Sequence, residues 1–140
     1  MNINKIQELV NIKSFSLQEN QEIIDYLIKE FKPYSKEIIK VKNIDNNKYN
    51  LIIGLNTEVK NTKALILSGH IDTVVADEQA YNTNPYQATL INDKLYGLGV
   101  IDMKSFFACI LNNIELLSKQ DYPIIIVITS DEEIGGVVFE

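Results

Sequence analysis

The chain has 140 residues, with 13 Lys+Arg against 19 Asp+Glu, a formal net charge of −6 and 46% hydrophobic residues. That balance describes one globular domain long enough to bury a core, and it excludes a disordered chain or a disulfide scaffold, since Cys109 is the one cysteine. Net acidity without a basic run excludes binding driven by phosphate charge, whether on nucleic acid or on an anionic membrane. No apolar stretch approaches the ~18 residues of a membrane span, so the expected compartment is the cytoplasm. Every basic residue is Lys, and nothing in the chain grips a carboxylate with a bidentate guanidinium fork.

In chain order, Ile3, Ile6, Leu9 and Val10 recur at helical spacing, and Ser16-Leu17-Gln18-Glu19 reads as a capping box that opens a second helix. That helix has the stripe Ile23, Ile24, Leu27, Ile28 and Phe31, and Pro33 ends it because proline lacks the amide donor. Extended runs at Ile38 to Val41 and Tyr49 to Leu55 flank an Asn/Asp-rich turn over Asn43 to Asn47, as a hairpin or adjacent strands. Ala64 to Leu67 is an almost unbroken apolar run, as in a strand buried on both faces, and it leads into Ser68-Gly69-His70-Ile71-Asp72. Asn92-Asp93 sits between Ala88 to Leu90 and Lys94 to Tyr96 as a hairpin turn. Met103, Phe106, Phe107, Ile110, Leu111, Ile114 and Leu117 make a helix with Asp102 at its N-cap. A second buried strand, Ile124 to Ile128, runs into Thr129-Ser130-Asp131-Glu132-Glu133, and Gly135-Gly136 follow. Strands alternating with helices predict an α/β layer fold, a mainly parallel or mixed sheet flanked by helices, with sites at the carboxyl ends of strands.

His70, the only histidine, follows one such strand with Asp72 two residues on, so extended backbone sends both side chains the same way. A carboxylate there accepts the second ring N–H of a metal-bound imidazole and fixes its tautomer. Gly97-Leu98-Gly99 resembles a dinucleotide turn, but the third glycine of that fingerprint falls on Asp102, which removes it. Asp72, Asp102, Asp131, Glu132 and Glu133 all adjoin strand ends on one expected sheet rim, together with His70. Crowded carboxylates stay ionised only if protons or a cation compensate, and one imidazole with several carboxylates suits Zn²⁺, Co²⁺ or Mn²⁺. If Asp102 spans two ions, a water between them becomes acidic enough to attack a carbonyl, one adjacent glutamate ligating and the other taking the proton.

Three ordered blocks then stand together: Ser68-Gly69-His70-Ile71-Asp72-Thr73-Val74, Lys94 to Lys104 with Gly97, Gly99 and Asp102-Met103-Lys104, and Asp131-Glu132-Glu133-Ile134-Gly135-Gly136. Together they resemble the acetylornithine deacetylase, succinyl-diaminopimelate desuccinylase and dizinc carboxypeptidase family, and Leu95 to Gly99 with Phe106-Phe107 looks most like the acetylornithine deacetylase branch. The resemblance implies that His70 ligates a first metal ion, Asp102 bridges two, and Glu133 ligates the second. It further implies Glu132 as general base and proton shuttle and Asp72 as the partner that orients His70, while Lys104 and Asp131 match the motifs without a catalytic role. Ser105 stands where the family usually has glycine and Val75 where proline commonly follows, departures that touch loops more than ligands.

The implied cofactors are two divalent metal ions, zinc first and cobalt second, and the implied substrate is a small N-acyl amino acid. Members of the family are more than twice as long, so residues 1–140 are expected to be a partial metal-binding catalytic domain. A small lid and dimerisation domain and the C-terminal part of the catalytic domain lie outside it, and the full-length parent is expected to be a homodimer. The leading expectation is N-acetylornithine deacetylation, in arginine biosynthesis. Succinyl-diaminopimelate desuccinylase, aminoacylase and dipeptidase activity stand beside it, as does a truncated remnant without catalysis. Cys109, placed on the apolar helix face, is expected to be a buried structural thiol rather than a nucleophile paired with His70.

Overall fold

The computed structural model describes residues 3–16, 18–43, 47–60 and 63–135. Two helices come first, α1 (Asn4–Asn11) and α2 (Gln21–Phe31). Strands β1 (Glu37–Lys42), β2 (Tyr49–Leu55) and β3 (Leu65–His70) follow, then the small hairpin β4 (Thr89–Ile91) and β5 (Lys94–Tyr96). Helices α3 (Lys104–Asn112) and α4 (Ile114–Leu117) and strand β6 (Ile124–Thr129) complete the elements, apart from short 3₁₀ turns at Glu78–Ala80 and Glu132–Ile134. None of the described helices is long and apolar enough to cross a membrane.

The main sheet has the order β1-β2-β6-β3. The sheet is mixed: β1 with β2 and β2 with β6 are antiparallel, while β3 with β6 is parallel, so the parallel arrangement is confined to one pair. The hairpin expected between the first two extended runs is present, although most of its turn, residues 44–46, lies outside the described residues. One sheet face is closed. Leu51, Ile53 and Leu55 on β2 and Ile124, Ile126 and Ile128 on β6 alternate into the core and are fully buried against Ile6 and Leu9 of α1, Ile23, Ile24, Leu27 and Phe31 of α2, and Phe107 of α3.

Local expectations fail in instructive places. β3 is not covered on both faces: it lies at the edge of the sheet, and Leu65 and Ile66 are 42% and 63% exposed. The Ser16 capping box does not form: α2 starts at Gln21 behind Asn20, and the Ser16 hydroxyl is committed elsewhere. The long helix after Asp102 breaks at Asn113 into α3 and α4. Cys109 is exposed, since it falls on the far side of α3 from Phe107, Ile110 and Leu111. The Asn92-Asp93 turn is as expected, with both residues at positive φ as a tight hairpin turn demands.

Because β3 and β6 run parallel in register, with His70 opposite Thr129, both strands release the chain at the same rim. The antiparallel β2 enters at that rim. Lys48, which precedes it, is buried and pairs there with the buried Asp131, while also donating to the Ser16 carbonyl. Asn43 donates to Asp131 Oδ2 at 3.0 Å, and Asn50 Oδ1 accepts from the Ser130 amide at 2.8 Å.

Two outcomes test this packing in chemical unfolding. Ile126→Ala is expected to cost about 2–5 kcal/mol, since it empties the closed face, whereas Ile66→Ala on the open face stays within about 0.5 kcal/mol. Asp131→Asn removes the buried countercharge of Lys48 and is expected to cost about 3–5 kcal/mol, read as a lowered urea midpoint.

Candidate metal centre

The three sequence blocks meet at the rim where β3 and β6 end. His70 is the last residue of β3, 5% exposed, and its ladder continues one step through the Ile71 amide to the Thr129 carbonyl at 2.9 Å. Asp131 adopts a left-handed conformation, φ 75°, which an aspartate tolerates, and this turns the chain sharply into Glu132 and Glu133. The third segment arrives from α3. Gly69 allows it close: a Cβ there would stand 2.5 Å from Met103 Cε, and the Met103 sulfur accepts from the His70 amide at 3.4 Å.

Asp102 is not the N-cap of α3. The helix begins at Lys104, with Met103 in the cap position. The carboxylate is therefore left for the rim, where Asp102 Oδ1 lies 3.0 Å from His70 Nε2. On the other side of the ring, His70 Nδ1 meets the Asp72 carbonyl at 3.1 Å and Asp72 Oδ1 at 3.4 Å. Glu132 Oε2 is 3.8 Å from Nε2 with its side chain 61% exposed. His70, Asp102 and Glu133 each offer one ligand atom, and these atoms lie within 4.8 Å of one another. The structure thus gathers His70, Asp72, Asp102, Glu132 and Glu133 in one place, whereas Asp131 faces Lys48 and Asn43 instead.

Electrostatics at the rim follow from this crowding. Burial works against charging the His70 ring, but the Asp102 hydrogen bond and the negative charges of Asp72 and Glu132 outweigh it, so its pKa lies above the ordinary histidine value. Glu133 is raised by burial, and the charges of Asp102, Asp72 and Glu132 add to that against the pull of His70. Among the described residues, no lysine is seen to pair with Asp72, Asp102, Glu132 or Glu133; Asp72, Asp102 and Glu132 approach the imidazole instead. Asp72 Oδ1 is buried without a hydrogen-bond partner. Excess carboxylate around one imidazole, with a buried acceptor behind it, fits a divalent cation bound through nitrogen and oxygen, and zinc or cobalt suits that donor set.

Several residues shape the centre in roles that the sequence did not assign to them. Ser16 holds Asp72, Lys48 holds Asp131, and Lys104 anchors the Asp102 segment by donating to the carbonyls of Leu9 and Ile12 at 3.0 and 2.7 Å. The Lys104 ammonium is buried, and desolvation pushes its pKa down to about 7. Its place in the Asp102-Met103-Lys104 block was the one available signal; an isolated Ser16 and Lys48 carry none.

The chain is similar to known proteins in sequence and in fold. Acetylornithine deacetylase of Buchnera aphidicola subsp. Schizaphis graminum is 37% identical over 135 residues, covering 92% of this chain and 34% of that protein. Acetylornithine deacetylase of Vibrio cholerae serotype O1 is 41% identical over 97 residues, covering 68% of this chain and 25% of that protein. The chain therefore spans between a quarter and about a third of the length of these relatives. Human carnosine dipeptidase 1 superposes with a TM-score of 0.83 at 21% identity, over 96% of this chain and 32% of that one. An M20 family metallo-carboxypeptidase, Sso-CP2 from Sulfolobus solfataricus, gives 0.80 at 22%, with the same coverage, so the fold is shared well beyond sequence likeness. Residues 66–138, just over half of the chain and including all three blocks, match the family model, and the chain belongs to peptidase family M20/M25/M40.

Proposed function

We propose that this chain is the N-terminal part of a divalent-metal-dependent amidohydrolase that removes the acyl group from an N-acyl amino acid, N-acetylornithine first among them. The single observation that supports it most is the mutual approach, within 4.8 Å, of ligand atoms from His70, Asp102 and Glu133, three segments far apart in sequence. The acetylornithine deacetylases, at 37% and 41% identity, favour the substrate. A small lid and dimerisation domain and the remaining ligands belong to sequence outside these residues. The whole protein is read as a cytoplasmic homodimer.

In this reading His70 and the carboxylates of Asp102 and Glu133 would hold the divalent metal. Bound zinc or cobalt supplies Lewis acidity, which brings the pKa of water toward neutrality. Asp72 orients the His70 ring from its Nδ1 side, keeping Nε2 turned inward. Glu132, exposed and beside the ligands, takes the proton as the water oxygen bonds to the amide carbon. As the carbon–nitrogen bond breaks, the same carboxyl gives that proton to the departing amine, leaving a carboxylate and a free amino acid.

The test is turnover by the full-length protein that carries this chain, stripped with chelator and resupplied with Zn²⁺ or Co²⁺. Hydrolysis of N-acetylornithine is expected to return with metal; no return toward it, N-succinyl-diaminopimelate or a dipeptide overturns the amidohydrolase reading. Glu132→Gln is expected to lower kcat by about 10²–10⁴-fold while metal stays bound, and Asp102→Ala to lose metal; equal metal loss in both reverses the roles. Protons compete with metal for His70, and its raised pKa sets where. Zinc affinity measured by calorimetry should therefore weaken on acidification from a higher pH than an unperturbed histidine, near 6.5, would dictate.

A further inference from the structure

We propose that Ser16, in the connection between α1 and α2, is a positioning residue for the metal centre: its hydroxyl fixes the Asp72 carboxylate and, through it, both His70 and Glu133. The inference deepens the metal reading above and rests on it. Ser16 is 4% exposed, and its Oγ donates to Asp72 Oδ2 at 2.7 Å. The same carboxylate oxygen accepts the backbone N–H of Glu133 at 3.2 Å. With Oδ2 engaged by two donors, Oδ1 is turned toward the ring, 3.4 Å from His70 Nδ1.

An aspartate carboxylate rotates in a broad, roughly two-fold well, so one oxygen faces a ring nitrogen reliably only if the other is held. The hydroxyl does this holding. Its own position is set by backbone: Ser16 N–H donates to the Thr73 carbonyl at 3.1 Å, and Thr73 N–H to the Ser14 carbonyl at 3.0 Å. A parallel bridge joins Phe15 to Thr73, so the segment lies as a short extra strand along the loop that carries Asp72. Lys48 then ties the Ser16 carbonyl to Asp131, at the head of the Glu132-Glu133 turn. One serine therefore stands between the two ligand loops, and groups that orient a ligating imidazole from outside change metal affinity about 10- to 100-fold when lost.

Ser14 provides the control. It is equally buried, at 1% exposed, and its hydroxyl donates at 2.7 Å, but to the Ile71 carbonyl rather than to Asp72. Zinc affinity of the full-length protein that carries this chain, measured by competition with a chromophoric chelator, is the readout, with urea unfolding of each variant alongside. Ser16→Ala is expected to weaken zinc binding by at least about tenfold, and Ser14→Ala by less than about threefold at a similar loss of stability. A smaller loss in Ser16→Ala, or one matched by Ser14→Ala, overturns the proposal. If Ser16→Ala does not fold, Ser16→Cys, which keeps the volume and weakens the donor, takes its place under the same criteria. A parent chain that takes up no zinc overturns the metal reading and this inference together, whereas zinc uptake unchanged by the variant overturns this inference alone.

Discussion

The parallel register of β3 against β6 is the constraint on which the centre depends. Placing His70 opposite Thr129 means that both strands end at one level, so residues 71–73 and 130–133 emerge side by side. Had the pair been antiparallel, the histidine block and the Glu-Glu block would leave the sheet at opposite edges. The antiparallel β2 brings its first residues to the same edge, which is why Lys48 and Asn50 reach Asp131 and Ser130. The third segment needs no strand pairing. It approaches because Gly69 leaves room for Met103, and because Lys104 ties the start of α3 to the end of α1.

Charge is divided at this rim with a clear logic. Asp131, the most buried of the acids there, receives a buried lysine and an asparagine, and its function is to set the turn. The other four acids receive one imidazole and backbone or hydroxyl donors, with no lysine among the described residues. A carboxylate compensated by an ammonium is structural; one left to share an imidazole is available to a cation. Net charge alone, −6 over the whole chain, would not have separated these two populations.

The ligand segments were legible in the sequence because each follows an apolar strand or opens an amphipathic helix, patterns that survive without knowledge of pairing. Sheet order was not legible: β6 reads as a buried parallel strand, yet its second neighbour, β2, is antiparallel, and only long-range pairing decides that. Side-chain hydroxyls and short acids misled for a related reason. Ser16 and Asp102 both fit the local chemistry of a helix cap, but tertiary partners, Asp72 and His70, outcompete the cap positions. Cys109 could have been placed correctly, since it lies on the opposite side of its helix from Phe107, Ile110 and Leu111; its apolar neighbours in sequence obscured the helical period.

Proton binding and folding are coupled through the same groups. Both His70 and Glu133 have raised pKa values, so each holds its proton more tightly in the folded chain than when unfolded. Stability from such groups is present below their unfolded values and is lost as the pH rises through the folded ones, which leaves the rim most repulsive at neutral and alkaline pH. A divalent cation would supply there the positive charge that protons supply in acid, and it would bind the deprotonated form of each ligand. The rim is thus one that a divalent cation would complete at neutral pH, and Ser16 and Lys48 tie its two loops together while the carboxylates between them repel one another.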